Sequence, residues 1–174
     1  RSLQEVLSFV PGVDVRQRGV TGVQADISIR GGSFEQTLML LNGIKLSDPQ
    51  TGHHMMNIPV PLVNIDRVEV LKGPASRIFG QNAYTGAVNV ITSLSDVRSL
   101  RLQGYAGDFG MKGINFAGSL PAGKYRQNLS ISYDDSDGHQ YNSDYQVSNI
   151  FYEGGVDLNE KNSLRGMIAY TDRT

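Results

Sequence analysis

The chain has 174 residues, a formal net charge of −1, and neither cysteine nor tryptophan. The near-neutral charge gives no support for nucleic-acid binding, and the lack of cysteine excludes a disulfide framework and cysteine-based zinc sites. No apolar run approaches the roughly 20 residues that a membrane helix requires, and the 20 glycines favour turns and strands over long helices. The length fits one ordinary domain, or one domain and a piece of a second.

The first predicted elements are a short helix and several short strands. Ser2 and Glu5 match a capping box that begins a helix, and Pro11-Gly12 ends it. Asn42-Gly43 is a strong hairpin signal, because both residues tolerate positive φ. Apolar residues predict strands beginning at Val13, over residues 27–29, over Thr37–Leu41 and over Ile44–Leu46.

Residues 65–92, IDRVEVLKGPASRIFGQNAYTGAVNVIT, organise the chain. Alternation of apolar and charged residues predicts a strand that Gly73-Pro74 ends, since proline cannot donate to a ladder. Residues 75–79 predict one helical turn. The almost continuous apolar run at residues 87–92 predicts a strand that is covered on both faces. A small mixed α+β domain follows from these elements.

This segment resembles the end of the plug domain of TonB-dependent outer-membrane receptors. The resemblance rests on VEVLKGPAS, FG and GAVNVIT in that order, and on two upstream motifs, ISIRGG at residues 27–32 and MLLNGIK at residues 39–45. It implies a plug over residues 1–93 and outer-membrane localisation in a Gram-negative bacterium. The family's TonB box, which precedes the plug and engages TonB, has no match here, and we expect the chain to be a fragment.

After Ser93 the pattern changes to segments of roughly ten residues with a period of two, the length of a tilted membrane strand. Pro121-Ala122-Gly123 and residues 159–162 predict tight turns, whereas residues 135–144 form a long acidic connection. From periodicity alone a soluble antiparallel sandwich is favoured, because it shows the same alternation. The apolar positions of the segments are Leu100, Leu102 and Ala106; Ile114, Phe116 and Leu120; Tyr125, Leu129, Ile131 and Tyr133; and Leu164, Ile168 and Tyr170.

The plug resemblance reverses that preference, since in this family the first barrel strand follows the plug directly. Residues 94–174 are then about five antiparallel strands of an incomplete transmembrane β-barrel. Membrane barrels have at least about eight strands, so we expect these strands to leave the barrel open and either to pair with another copy or to distort.

Substrate contacts are implied by the family for the plug loops that rise to the extracellular face. One loop follows the R-G motif and contains Phe34. The other supplies Gln50, Thr51, His53, His54, Met55, Met56 and Asn57. From the residues alone, flexible Met and polar groups suit a bulky ligand, but the two methionines could equally pack under the loop. Adjacent His53 and His54 point in opposite directions in an extended loop, which disfavours a shared metal ion.

Charged residues offer two further hypotheses. The resemblance implies plug–barrel ion pairs for Arg30, Arg67, Glu69 and Arg77, and surface salt bridges are the alternative. Clustered carboxylates at Asp134, Asp135, Asp137 and Asp144 suit Ca²⁺, although their spacing is not that of an EF-hand and a solvated acidic loop is favoured. No other cofactor is expected.

The resemblance implies active uptake of a scarce, bulky nutrient without covalent chemistry, so we expect no enzyme. Cobalamin or a ferric siderophore is the favoured substrate, because Lys72-Gly73-Pro74 is closer to their receptors than to glycan importers. The expected partners are TonB, the substrate, outer-membrane lipid and a surface lipoprotein, but no nucleic acid. Alternatives are a glycan importer, a soluble β-rich binding module, and a metal-dependent hydrolase using Asp48, His53 and His54.

Overall fold

The computed structural model describes residues 3–18, 24–46, 58, 60–138 and 143–173. The chain forms two compact units. The first unit comprises Arg1–Ile58 and Ile65–Thr92, and the second unit comprises Pro59–Asn64 and Ser93–Thr174. No helix in the described ranges has the length and apolar character needed to cross a membrane.

The first unit contains a two-stranded antiparallel sheet, β1–β2, and a four-stranded mixed sheet in the order β4-β3-β6-β5. Strands β3 and β6 are parallel, and the other neighbours in the mixed sheet are antiparallel. The elements are α1 (Leu3–Ser8), β1 (Val13–Arg18), β2 (Gln24–Ile29), a 3₁₀ turn (Phe34–Gln36), β3 (Thr37–Leu41), β4 (Ile44–Leu46), β5 (Ile65–Lys72), α2 (Ser76–Phe79) and β6 (Gly86–Thr92).

The core of the first unit lies on the two central strands of the mixed sheet. All five residues of β3 are buried, and most of β6 is buried as well. One face of β6 is fully buried, whereas on the other face Ala87 is buried and Asn89 and Ile91 are half-buried. The predicted cover of both faces is therefore complete on one face and partial on the other. One core cluster joins these strands to the α2 region: Leu38, Leu40, Ala75, Ala83 and Ala87, with Phe79 packed against it.

The Asn42-Gly43 hairpin between β3 and β4 forms as predicted, with φ of 51° and 80°. Its asparagine also joins the turn to the end of β6. The side-chain amide of Asn42 donates to Thr92 Oγ1 at 2.7 Å, and its Oδ1 accepts from the Thr92 backbone N–H at 2.9 Å. The Gly43 N–H donates to Asn89 Oδ1 at 3.0 Å. The turn is therefore held by long-range contacts as well as by its own backbone preference.

Gly86 begins β6 where two other elements approach its backbone closely. A Cβ at this position would collide with the carbonyl oxygen of Leu71 in β5 and with the side chain of Ile29 in β2. Ile29 is fully buried. A side chain at residue 86 would therefore disturb the contact between β2 and the mixed sheet.

The second unit is a five-stranded antiparallel meander in the order β11-β10-β9-β8-β7, with a 3₁₀ turn at Leu62–Asn64. The strands are β7 (Ser99–Ala106), β8 (Lys112–Ser119), β9 (Tyr125–Ser136), β10 (Tyr145–Asn159) and β11 (Asn162–Arg173). Within the described residues, β7 and β11 each have one strand neighbour, so the sheet is open, as predicted.

The connections of the second unit lie alternately at its two ends. Short turns join β8 to β9 and β10 to β11, where Asn159 pairs with Asn162. At the opposite end, residues 107–111 turn through Phe109 and Gly110, both with positive φ, and the longer β9–β10 connection lies at the same end. We call the two ends the short-turn end and the long-loop end.

The strand register places the apolar side chains of the meander in straight rows across the sheet. Leu102, Phe116, Ile131, Ile150 and Tyr170 are successive cross-strand partners from β7 to β11. The next row contains Leu100, Gly118, Leu129, Tyr152 and Ile168. The large side chains of both rows are exposed, apart from the half-buried Phe116. We call this surface the apolar face.

The residues between these rows in β9 lie on the other face, which is largely polar and buried. Asn128, Ser130 and Ser132 are at most 6% exposed. The side chain of Asn149 donates to Ser132 Oγ at 3.1 Å and accepts from Thr171 Oγ1 at 2.8 Å. The same face also buries Phe151 and Val147 of β10. Apart from these two residues, the meander buries polar side chains and exposes most of its apolar ones, the reverse of a strand in a water-soluble sandwich.

Most predicted elements agree with the structure within one or two residues. β3 and β4 have the predicted bounds, and α2 at Ser76–Phe79 is the helical turn predicted over residues 75–79. The capping box depends on Ser2, which lies outside the described residues. β10 is the longest strand, yet no apolar pattern marked it, because Gly154-Gly155 interrupts the alternation.

Candidate functional site

A tight turn after β2 positions the predicted substrate residue Phe34. Arg30 and Gly31 have φ of 53° and 76°, and the left-handed value is unusual for arginine. The Arg30 N–H donates to the Gly12 carbonyl at 2.8 Å. Two consecutive left-handed residues reverse the chain at the end of β2 and direct it into the 3₁₀ turn that begins with Phe34.

The 3₁₀ turn is held in place by the segment that precedes β6. The Gln36 carbonyl oxygen accepts from the Tyr84 and Thr85 N–H groups, each at 2.9 Å, and from Thr85 Oγ1 at 3.0 Å. Within the turn, the Ser33 N–H donates to Gln36 Oε1 at 3.1 Å. Gly32 passes so close to Thr85 that a Cβ would collide with its side chain. Phe34 therefore lies on a turn with a fixed backbone.

A cleft of about 420 Å³ lies beside this turn, and we call it the Phe34 cleft. One wall is the β1–β2 sheet, where Asp14 is opposite Ser28 and Arg16 is opposite Asp26. The Arg16 Nε donates to Asp14 Oδ2 at 2.8 Å, and both side chains are more than half exposed. Asp26 is 7% exposed. Residues 31–34 form the rest of the lining.

The Phe34 cleft offers hydrogen-bond donors and acceptors together with an aromatic surface. Its carboxylates accept hydrogen bonds, the Arg16 guanidinium donates them, and the Ser28 hydroxyl does either. Phe34 adds an apolar surface that is half-buried and open to the cleft. This arrangement suits a bulky ligand that carries amide or hydroxyl groups around an apolar body.

Of the predicted substrate residues, the structure places Phe34 in the cleft. Gln50, Thr51, His53, His54, Met55, Met56 and Asn57, with Asp48 of the hydrolase alternative, lie outside the described residues. Sequence reasoning missed Asp14, Arg16, Asp26 and Ser28. The available signal was the alternation of these polar residues with Val13, Val15, Ile27 and Ile29, but only the strand register shows that they share one wall.

The predicted ion-pair residues are distributed over the first unit. Arg67 Nε contacts Glu69 Oε1 at 2.8 Å, and Arg67 Nη1 contacts Asp66 Oδ2 at 2.9 Å. These two hydrogen bonds raise the pKa of Arg67 above its ordinary value, and the hydrogen bond to Glu69 has the larger effect. Arg30 and Arg77 are exposed, and neither forms an ion pair with a residue that the structure describes.

The four aspartates of the calcium hypothesis do not form a metal-binding group. The described residues contain no cluster of three His, Cys, Asp or Glu side chains that could hold a metal ion. The Tyr105 hydroxyl donates to Asp134 across Gly113, and Lys112 Nζ pairs with Asp135 at 2.9 Å. Asp134 and Asp135 are thus engaged by different partners on neighbouring strands, and Asp144 is exposed beyond them.

Fold and surface together define a class of protein. A small mixed α+β unit with a polar cleft precedes an open antiparallel sheet whose apolar face is exposed. A polar buried face and an apolar outer face are the properties of strands from a membrane β-barrel. The fold is therefore that of a small α+β domain followed by antiparallel strands of a membrane β-barrel.

The family is shown by the sequence itself. The model of the TonB-dependent Receptor Plug Domain matches residues 1–87, half of the chain. The chain belongs to the TonB-dependent receptor plug domain family, which confirms the prediction made from its motifs, and its localisation is the outer membrane of Gram-negative bacteria.

The relatives of this chain are longer proteins. It is 41% identical over 96 residues to the vitamin B12 transporter BtuB of Vibrio vulnificus (strain CMCP6), a match that covers 55% of this chain and 16% of the relative. The pyoverdine outer membrane receptor FpvA from Pseudomonas aeruginosa PAO1, solved with pyoverdine bound, matches with a TM-score of 0.79 at 20% identity, over 98% of this chain and 25% of that one.

A second similar structure, the copper transporter OprC, has a TM-score of 0.78 at 18% identity and covers 98% of this chain and 28% of that one. At such low identities the solved structures show the fold alone. This chain spans about a sixth to about a quarter of the length of these relatives.

Proposed function

We propose that residues 1–93 are the plug and residues 94–174 the first five barrel strands of a TonB-dependent receptor that binds and imports a scarce, bulky nutrient. The observation that carries this proposal is the inverted meander, which exposes eight large apolar side chains in two cross-strand rows. In water such a surface costs roughly 25 cal/mol for each Å² left uncovered. In a bilayer the same rows contact lipid, and further strands cover the two open edges.

The alternative of a soluble β-rich module is disfavoured by the same rows. A module of that kind buries its apolar residues against a second layer, whereas Leu102, Ile131 and Tyr170 are 69%, 44% and 60% exposed. An enzymatic role is disfavoured because the matched family is one of receptors.

A cobalamin-like compound is the favoured substrate. BtuB, the relative at 41% identity, is a vitamin B12 transporter. Cobalamin has carboxamide side chains around a large ring, and the Phe34 cleft offers acceptors and a donor for amides together with an aromatic surface. A ferric siderophore is the second candidate, because FpvA has the same fold and its structure contains pyoverdine. Residues 50–57 are proposed to complete the substrate contacts.

Import is proposed to depend on TonB, which acts on the periplasmic side of the plug in response to bound substrate. Arg30, Arg67, Glu69 and Arg77 are proposed to form ion pairs that hold or release the plug. A surface lipoprotein is a further proposed partner. Each of these roles concerns the full-length receptor.

Ligand binding by the full-length receptor tests the proposal. The purified receptor in detergent is titrated with cyanocobalamin, ferric siderophores and maltooligosaccharides. We expect submicromolar binding of cyanocobalamin, weakened roughly tenfold or more by Phe34→Ala and also by Arg16→Gln. Phe9→Ala is the matched control, because Phe9 is 83% exposed and does not line the cleft.

One result would change the proposed substrate, and another would overturn the proposal. Binding of a siderophore or a maltooligosaccharide in place of cyanocobalamin would keep the transporter and change the substrate. Absence of binding by all of these compounds, in a monodisperse protein that needs no detergent, would overturn the membrane assignment.

A further inference from the structure

The chain passes between its two units at three places, and two of these crossings are neighbours. Pro59–Asn64 belongs to the second unit although it lies in sequence between β4 and β5, and Ser93 returns the chain to the second unit after β6. Ile65 at the start of β5 pairs with Thr92 at the end of β6. The crossings at Asn64 and at Ser93 therefore lie at the same end of the β5–β6 strand pair.

Both of these crossings are held by one strand of the meander. The Asn128 side-chain amide donates to the Ser93 carbonyl oxygen at 2.8 Å, and the Ser130 hydroxyl donates to Asn64 Oδ1. Asn128 and Ser130 are adjacent positions on the polar face of β9, in the half of the strand nearer the short-turn end, and they are 4% and 0% exposed. All four residues belong to the second unit. The two hydrogen bonds thus fix the point from which the β5–β6 pair starts and the point to which it returns.

The segment after β6 continues along the same face of the meander. Leu94 is 7% exposed and packs against Gly155 of β10, where an added Cβ would collide with the leucine side chain. Asp96 Oδ1 then lies 3.5 Å from Arg126 Nη1. The Ser93 crossing is therefore supported by an apolar contact and an ion pair as well as by Asn128.

Asn128 carries a cost that its bond to Ser93 offsets. Its Oδ1 is buried and has no hydrogen-bond partner among the residues that the structure describes. A buried acceptor without a donor lowers stability, so a side chain that only fills space on this face would be better apolar. The amide N–H that reaches Ser93 is what an apolar side chain could not supply, which indicates that Asn128 serves this contact.

We propose that Asn128 and Ser130 form an anchor on the barrel wall, which holds the β5–β6 strand pair in place and keeps the receptor closed when no substrate is being imported. The inference rests on the proposed function, because it requires the meander to be barrel wall and the first unit to be its plug. Thr92, the residue before Ser93, is bonded to Asn42 within the first unit, so the chain is held on both sides of this crossing. Loss of the anchor releases both ends of the strand pair at once.

Hydrogen exchange of the full-length receptor in lipid nanodiscs tests the anchor. Asn128→Ala combined with Ser130→Ala removes both hydrogen bonds and is expected to accelerate exchange of the β5 and β6 amides about tenfold, because local opening no longer breaks these bonds. Ser132→Ala is the matched control. Its hydroxyl accepts from Asn149 at 3.1 Å within the meander, so its loss is expected to leave exchange in β5 and β6 unchanged.

Ion leakage through the receptor in proteoliposomes separates anchoring from general stability. Without substrate, the double variant of Asn128 and Ser130 is expected to leak about tenfold faster than the parent, in proportion to its larger open population. Ser132→Ala also removes a buried hydrogen bond, so it lowers the unfolding midpoint, but it is expected not to leak. A leak that follows the unfolding midpoint in all variants would overturn the inference.

Asn64 supplies a conservative pair of variants for the same two measurements. Asn64→Asp keeps an oxygen that accepts from Ser130, whereas Asn64→Leu removes it. We expect Asn64→Asp to exchange and leak like the parent and Asn64→Leu to behave like Ser130→Ala. Equal behaviour of the two Asn64 variants, or acceleration by Ser132→Ala as large as that by Ser130→Ala, would also overturn the inference. These single substitutions decide the question if the double variant does not assemble.

Failure of the inference is distinguishable from failure of the proposed function. A receptor that needs detergent and binds cyanocobalamin, but whose β5 and β6 amides exchange equally in the parent and the double variant, would contradict the anchor alone. A protein that is monodisperse without detergent and binds no substrate would contradict both.

Discussion

The two units of this chain use the same alternation of apolar and polar residues in opposite senses. In the first unit, β2 fully buries Ile27 and Ile29, whereas Ser28 between them is half-buried and lines the Phe34 cleft. In the second unit, β9 buries Ser130 and exposes Ile131. A period of two therefore identifies a strand, but it does not say which face of the strand meets water, lipid or protein.

The largest expected effect comes from placing a charge in the middle of the apolar face. Ile131→Arg in the full-length receptor is expected to cost about 2–4 kcal/mol of folding free energy, because the guanidinium must enter the hydrocarbon region of the bilayer. Urea-induced unfolding in lipid vesicles measures this loss.

Ile78→Arg in α2 of the first unit is the matched control for Ile131→Arg. Ile78 is 75% exposed, and a charge there is expected to change stability by no more than about 0.5 kcal/mol. Equal effects of the two substitutions would show that the apolar face contacts water and would remove the contrast between the units.

Close backbone contacts in the first unit are tested by Gly86→Ala. The added Cβ would collide with the Leu71 carbonyl and with Ile29, so we expect a loss of about 1–3 kcal/mol. Hydrogen exchange of first-unit amides in the full-length receptor reports the loss. Gly104→Ala in β7, where the nearest atom would be 3.8 Å away, is expected to leave this exchange unchanged, and an equal change in both variants would contradict the expectation.

Two substitutions of Asn42, in the hairpin between β3 and β4, separate the stability that comes from its backbone conformation from the stability that comes from its side-chain hydrogen bonds. Asn42→Gly keeps the positive φ and loses both hydrogen bonds to Thr92, whereas Asn42→Ala loses the bonds and adds backbone strain. We expect Asn42→Gly to reduce stability by about 1–2 kcal/mol and Asn42→Ala to reduce it by about 1–2 kcal/mol more. Chemical unfolding that finds Asn42→Gly as stable as the parent would show that Thr92 does not hold the hairpin.

The smallest effect is expected for the ion pairs of Arg67, whose side chains are about half exposed to water. Arg67→Gln should leave the unfolding midpoint of the receptor unchanged, since exposed pairs are screened and constrain long side chains. Arg126→Gln in the second unit is the comparison. Arg126 is 23% exposed and pairs with Asp157 and Asp96, and its loss is expected to cost about 1–3 kcal/mol.

If Arg67→Gln lowers the unfolding midpoint as much as Arg126→Gln does, a contact between Arg67 and the barrel of the full-length receptor is favoured. That result would support the proposed plug–barrel role. If Arg67→Gln leaves the unfolding midpoint unchanged but alters substrate release, Arg67 acts in the transport cycle and does not contribute to stability.

Elements whose signals are local were predicted from the sequence. The bounds of β3 and β4, the hairpin at Asn42-Gly43 and the break at Gly73-Pro74 follow from backbone preferences of a few neighbouring residues. The family motifs between residues 27 and 92 are likewise visible without a structure, and they identified the chain as a plug followed by strands. The candidate site was reached through one residue, Phe34.

The tertiary structure decided what depends on residues far apart in the chain. Asp14 and Ser28 share the wall of the Phe34 cleft only because β1 and β2 pair in one register, and Gln36 positions Phe34 only because Thr85 comes to it. The register also decides which side chains of a strand are buried and which are exposed, as for Ser130 and Ile131. Sequence determines the period of a strand because adjacent side chains point to opposite faces, whereas the surroundings of each face are set by the whole fold and the solvent around it.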